Sequence, residues 1–199
     1  DTGVQFSKHG LLTMVVLDIG AASLLADEAD VLVINTDSRW CDPHTAYMRA
    51  KAAAEVFEKA GTSMVYKKID SALRGNIGTE LDAVMDVFGA EVAFVVPAFP
   101  ATGRVTIEGR QLLRNIPLDE SEVASDLLSP VTESHVPSLL ARQTRRQVGH
   151  VSIDQVISGS RVLAETFSAK LRSGDQIIVV DAFNQAHLGT IASTIASLE

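Results

Sequence analysis

The alternation of short β-rich runs with amphipathic helical patterns constrains this chain more than any other feature. Apolar and β-branched residues dominate 12–17, 31–35, 63–67, 92–96, 149–153 and 176–180, each the length of a buried strand. Helical periodicity fills several of the spaces between them. Residues 43–60 carry Ala46, Ala50, Ala53, Phe57 and Ala60 on one face, with Asp42 placed to cap, Pro43 in the first turn and Gly61 as the stop. Residues 79–88 repeat Leu81, Val84, Met85 and Phe88 on one stripe and end at Gly89, and helices are also expected at 160–172 and 185–198. Parallel strands need crossover connections, and helices supply them. The pattern therefore predicts an α/β fold, an open and mostly parallel sheet with helices on both faces. The first ten residues read as a short helix stopped by Gly10. Because a helix in such a chain follows a strand, a further strand is expected upstream of Asp1.

The stretch 97–146 breaks the alternation. It is rich in proline and polar residues, includes Gly103 and Gly109, and predicts a long loop-rich excursion. Long loops in compact domains are usually functional, since ordering them costs entropy that no core offsets.

Charge and composition exclude several classes of function. Lys and Arg number 17 against 25 Asp and Glu, a net charge of -8, which argues against a nucleic-acid partner. Cys41 is the only cysteine, which excludes an intrachain disulfide and a cysteine-cluster zinc site and fits a reducing, cytoplasmic setting. The apolar runs fall far short of the roughly 20 residues of a membrane span. The five histidines lack HxxxH or HxH spacing, so no metal site is expected. There is no GxxxxGK[ST], no GxGxxG after a strand and no GxSxG, so no tightly bound nucleotide is expected on this chain.

Ligands of parallel sheets bind beyond the carboxyl ends of the strands, so the residues that follow each run matter most. Thr36-Asp37-Ser38-Arg39 follows the second run, and Lys68-Ile69-Asp70-Ser71-Ala72-Leu73-Arg74-Gly75-Asn76 follows the third. Pro97-Ala98-Phe99-Pro100-Ala101-Thr102-Gly103-Arg104 and Asp181-Ala182-Phe183-Asn184 follow two others. Arg39, Lys68, Arg74 and Arg104 suit a small anion, since guanidinium groups pair bidentately with carboxylates. Asp37, Asp70 and Asp181 suit sugar hydroxyls, and a polyhydroxy acid satisfies both sets. Gly75 and Gly103 fit tight turns beside a ligand, and the amides at the start of the 79–88 helix could face an oxyanion. Asp37 and Asp70 fit ordinary loop or cap residues equally well, and Arg39 and Arg104 fit surface ion pairs. His135, in Ser134-His135-Val136-Pro137, reads either as a site residue or as a half-buried hydrogen-bonding group.

These motifs resemble the four-carbon acid sugar kinase family, specifically its N-terminal sugar-binding domain. The resemblance rests on Asp1-Thr2-Gly3-Val4-Gln5-Phe6, on Lys68 to Gly78, on Pro97 to Arg104, on Ser129-Pro130-Val131-Thr132-Glu133-Ser134-His135-Val136-Pro137 and on Asp181-Ala182-Phe183-Asn184. It implies an ATP-dependent kinase acting on the 4-hydroxyl of a tetronic acid, D-threonate or D-erythronate rather than 3-oxo-tetronate, the substrate order resting on Arg74. It also implies that residues 1–199 are one sugar-binding domain. The family's first strand and its acidic motif would precede Asp1, and a C-terminal nucleotide-binding domain of the same polypeptide would bring ATP and Mg. In that reading Arg74 and Arg104 clamp the carboxylate, and Lys68 holds a hydroxyl or the incoming phosphate. Asp70 orients the 4-hydroxyl or takes its proton, and Asp37, Ser38 and Arg39, with Gly103 and His135, complete the contacts. The expected partner is a small acid sugar, with no membrane and no nucleic acid, and a homodimer is allowed. The competing reading is a non-catalytic acid-sugar sensor with the same pocket; a glycine-rich α/β continuation after Glu199 would distinguish the kinase from it.

Overall fold

The computed structural model describes residues 2–25, 28–62, 64–126 and 130–198. The chain forms two compact units, Asp1–Lys68 with Thr79–Ala90, and Ile69–Gly78 with Glu91–Glu199.

In the first unit, α1 (Thr2–Lys8) leads into β1 (Thr13–Val16), α2 (Ile19–Ala22), β2 (Val31–Ile34) and α3 (Pro43–Lys59). Strands β1 and β2 pair in parallel from Thr13 with Val31 to Val16 with Ile34. Buried Gly3 lets α1 lie close on this pair, since a Cβ there would stand 3.2 Å from methyls of both Thr13 and Val33. Helix α3 starts where expected: Asp42 accepts from the Thr45 amide at 3.1 Å and from its hydroxyl at 2.6 Å, and Pro43 occupies the first turn. The two hydrogen bonds from Thr45 hold the Asp42 carboxyl below its ordinary range. Its buried face is all alanine, Ala46, Ala50, Ala53 and Ala54. Helix α4 (Ile77–Phe88) buries Leu81, Ala83 and Met85.

The second unit is built on a parallel sheet in which β8 (Ile177–Val180) lies between β3 (Ala93–Val95) and β7 (Val148–Val151). Every residue of β8 is buried, as the unbroken Ile177-Ile178-Val179-Val180 run demands of a central strand. Helices α6 (Ile153–Ile157), α7 (Ser160–Arg172) and α8 (Gln185–Ala196) complete it. The core joins Ile178 and Val180 to Val156, Leu163, Phe167 and Ile191, with Phe94 tilted against Phe167 at 4.7 Å between ring centres.

The mixed α/β class with parallel sheets is as expected. The parallel strands described are divided between a two-stranded and a three-stranded sheet. The 63–67 run differs: residues 64–70 form no strand, and Ser63 lies outside the described residues. Met64 and Tyr66 are 83% and 68% exposed, so β-forming residues here have no ladder among the described residues to stabilise them. The 97–146 stretch is also more ordered than a loop. It holds an antiparallel sheet of β4 (Arg104–Ile107), β5 (Arg110–Leu113) and β6 (Ile116–Pro117), then α5 (Val136–Ala141). Both turns of this sheet, Glu108-Gly109 and Arg114-Asn115, have two residues with positive φ, the geometry that matches strand twist.

Asp181 follows β8 and is fully buried. One carboxylate oxygen accepts from the Gly109 amide at 3.0 Å and from His150 Nε2 at 2.9 Å. The other accepts from the Ile153 amide, the first of α6, at 3.1 Å. Asp181 was expected among sugar-contacting acids; instead its oxygens are committed to three chain donors. Replacing it as D181N leaves one acceptor oxygen and turns an NH2 toward a backbone N–H. An unpaired buried donor costs about 1–3 kcal/mol, so urea denaturation should show D181N less stable by roughly that amount.

Candidate functional site

In the first unit the expected residues Asp37, Ser38 and Arg39 follow β2. Asp37 is exposed with φ +45, and its carbonyl accepts from Arg49 Nη1 at 2.6 Å. Arg39 is exposed and lies 5.6 Å over the Trp40 ring. Ser38 alone of the three is buried, and it donates to Glu80 Oε1 at 2.7 Å. The other Glu80 oxygen pairs with Lys67 Nζ at 2.5 Å, and Thr36 Oγ1 lies 2.7 Å from Ser38 Oγ. Lys68 is exposed, and its carbonyl accepts from Lys67. The ammonium in this cluster is therefore that of Lys67, which the sequence reading passed over, as it did Glu80. A signal for Glu80 existed: it sits on the apolar stripe of α4, three residues after Ile77 and four before Val84, where a charge needs a partner.

The second unit holds Asp70, Arg74, Gly103, Arg104 and His135. Asp70 and Arg74 come together in one turn. Arg74 Nε donates to Asp70 Oδ2 at 2.5 Å, and Nη1 donates to Asp126 Oδ2 at 2.9 Å. Asp70 first, then Asp126, raise the Arg74 guanidinium above its ordinary range, against partial burial. Leu73 between them is buried with φ +60, and Gly75 has φ +91.

Two neutral side chains brace this loop. Gln143 Oε1 accepts from the Gly78 amide at 2.9 Å, while its Nε2 donates to the Gly75 carbonyl at 3.0 Å. That bond uses one of the early α4 amides expected to face an anion. A Cβ on Gly78 would stand 2.8 Å from Gln143 Cβ, so only glycine permits this approach. Gln111, fully buried on β5, accepts from Thr106 Oγ1 at 2.6 Å and donates to the Ser71 and Pro97 carbonyls, each at 3.2 Å. It thereby brings the Asp70 loop and the segment after β3 side by side.

Past β3, Gly103 has φ +73 and closes a short 3-10 turn, Pro100–Thr102. Arg104 Nη1 donates to Thr102 Oγ1 at 3.0 Å, but its Nε is buried with no hydrogen-bond partner among the described residues. His135 caps α5: its Nδ1 accepts from the Ser138 amide at 3.4 Å and lies 2.7 Å from the Ser138 hydroxyl. Its ring also packs on Gly109, where a Cβ would meet Nε2 at 2.9 Å. The geometry thus gives His135 the half-buried hydrogen-bonding role. Among the described residues, no group of three or more His, Cys, Asp or Glu side chains is placed to hold a metal ion. No helix among them is long and apolar enough to cross a membrane.

The whole chain, residues 1–199, matches the family model described as the sugar-binding N-terminal domain, and it belongs to that family. The D-erythronate kinase of Heliobacterium modesticaldum is 38% identical over 193 residues, covering 96% of this chain and 44% of that protein. The D-threonate kinase of Salmonella typhimurium is 40% identical, covering 96% and 45%. A 3-oxo-tetronate kinase of Methylobacterium radiotolerans is 30% identical, covering 98% and 47%. Among solved structures, a Bordetella bronchiseptica domain of unknown function with bound citrate, a domain-swapped dimer, superposes with a TM-score of 0.82 at 33% identity, covering 98% of this chain and 48% of that one. The chain spans about half the length of the curated relatives it matches.

Two outcomes are expected. E80Q removes the charge that Lys67 and Ser38 share, and losing a charge-assisted contact at a buried site costs about 1.5–3 kcal/mol; chemical denaturation should report a loss in that range. Burial first, then Arg110 and His150, lower the His135 pKa below its ordinary 6.5, outweighing Glu133 and Asp181, which raise it. The unfolded chain therefore takes up a proton at this residue before the folded one does, so His135 lowers stability as pH falls through about 6.5 and has no such effect above it. H135N keeps a capping acceptor without the titration. Its melting temperature should fall less than that of the wild type between about pH 7.5 and 5.5, and parallel curves would remove His135 as the cause.

Proposed function

We propose that this chain is the acid-sugar-binding part of an ATP-dependent kinase that phosphorylates the 4-hydroxyl of a four-carbon acid sugar. The observation that carries this reading is the Arg74 loop: a charged guanidinium, partly exposed, held in a fixed turn by two glutamines and a buried leucine. A preorganised guanidinium matches a carboxylate in both charge and shape. Arg104, whose buried Nε has no acceptor among the described residues, is the second carboxylate contact. Asp70 has its oxygens turned to Arg74, so its part is to fix that guanidinium and orient a hydroxyl rather than to abstract a proton.

Identity to the D-erythronate and D-threonate kinases, 38% and 40%, exceeds the 30% to the 3-oxo-tetronate kinase, which supports the same order of substrates here. Citrate, found with the Bordetella domain, likewise combines carboxylates with a hydroxyl. The sequence carries no GxxxxGK[ST] loop, so no step through ATP is assigned to this chain. Nucleotide binding falls to a further domain of the same polypeptide, in keeping with relatives about twice as long.

Calorimetric titration with D-threonate, D-erythronate and 3-oxo-tetronate tests the reading. One of the first two acids should bind most tightly, and R74A should weaken it tenfold or more, the loss expected for a charged hydrogen-bonded contact. Equal affinity in R74A would remove Arg74 from the site.

A further inference from the structure

We propose that Gln111 is a positioning residue that makes Arg74 and Arg104 act on one carboxylate as a pair, by fixing the spacing between the loop that carries the first and the strand that carries the second. The inference rests on the reading of both arginines as carboxylate contacts.

Gln111 is fully buried. Its Oε1 accepts from the Thr106 hydroxyl at 2.6 Å, and its Nε2 donates to the Ser71 and Pro97 carbonyls, each at 3.2 Å. Two acceptors and one donor thus meet at a point away from water, and a primary amide offers the two donors and the acceptor that they need. A carboxylate there would set further acceptors against the carbonyls, and an ammonium could not accept from the hydroxyl.

The partners of Gln111 surround the two arginines in the chain. Ser71 stands three residues before Arg74, in the turn closed by the Leu73 amide on the Asp70 carbonyl at 2.9 Å. Pro97 and Thr106 bracket Arg104. Pro97 opens the segment that brings Phe99 opposite Arg104, and Thr106 is the next residue on the same face of β4. In the ladder, β5 sets Leu113 opposite Arg104 and Gln111 opposite Thr106, so the Gln111 side chain projects from the face that carries Arg104. A shift of the Arg74 loop past the Arg104 strand therefore breaks a hydrogen bond at a buried amide, where no water replaces it.

Fixed spacing changes how two contacts combine. Once one guanidinium holds a carboxylate, the second meets it at an effective concentration on the order of millimolar where the geometry permits, and near zero where it does not. With Gln111 in place both arginines hold the acid together. Without it the acid is held by one at a time, and the second contributes little.

The test is calorimetric titration of the full-length protein, without ATP, with D-erythronate and D-threonate. Wild type, Q111M, R104A, R74A and the Q111M/R104A double variant are compared, each checked by thermal melting. Q111M, nearly isosteric but unable to bridge, should weaken the preferred acid about tenfold, as should R104A. The added loss from R104A in the Q111M background should be no more than about threefold, because contacts that act together give non-additive losses. A purely structural role would leave the two losses multiplying. That result, or unchanged affinity in Q111M or in R104A while R74A loses binding, would overturn the role of Gln111 and leave the Arg74 reading standing. Unchanged binding in R74A, or no acid bound by the wild type, would overturn both. Should Q111M fail to fold, T106V decides: it removes the hydroxyl that Gln111 accepts from, its loss of affinity should likewise overlap that of R104A, and unchanged affinity or multiplying losses would overturn the inference.

Discussion

The second unit depends on one buried carboxylate. Burying an ionised group costs several kcal/mol unless donors replace the lost water, and Asp181 meets that demand with the Gly109 amide, His150 and the first amide of α6. The consequences run outward from there. The Gly109 turn fixed by Asp181 also accepts from the Val136 amide, at 2.8 Å, and gives His135 the open face on which its ring packs. His135 then starts α5, and just beyond the end of that helix Gln143 grips the loop that carries Arg74. A buried charge thereby helps to position Arg74, the residue proposed to meet the substrate carboxylate.

The unit divides its polar groups by kind. Neutral amides, Gln111 and Gln143, do the bracing, because each can donate and accept at once without adding a charge that a ligand would feel. The two arginines proposed for the site keep part of their surface or bonding capacity unused by the chain: Arg74 is partly exposed, and Arg104 Nε has no acceptor among the described residues. The proposed anion site needs that asymmetry. Were the braces charged, the field at Arg74 would depend on them as well as on its two carboxylates.

Much of the fold was legible because helical and strand periodicities are local properties. Asp42 and Pro43 marked the start of α3, and the apolar Ile177-Ile178-Val179-Val180 run marked a central strand. What escaped was decided at a distance. The 63–67 run has the composition of a strand, but a strand also needs a neighbour. The antiparallel sheet was hidden because its turns, Glu108-Gly109 and Arg114-Asn115, lack the usual Asn-Gly signal, and its strands have at most four residues. Of the candidate site, the Asp70 and Arg74 motif was visible as a local cluster of acid and cation. Its braces were not: Gln111 and Gln143 reach partners 40 and 68 residues away, and nothing in a glutamine announces such a role. Asp126, 52 residues from Arg74, was equally out of sight.

Leu73 carries a thermodynamic consequence. A non-glycine residue with positive φ costs on the order of 1 kcal/mol, yet its side chain is buried, and burying a leucine returns about 1.5–3 kcal/mol. The chain therefore settles the cost of shaping this turn when it folds, not when a ligand arrives. An acid docking there, as proposed, would order little additional backbone, so its heat of binding would report mainly the contacts made at the guanidinium, with a small change in heat capacity.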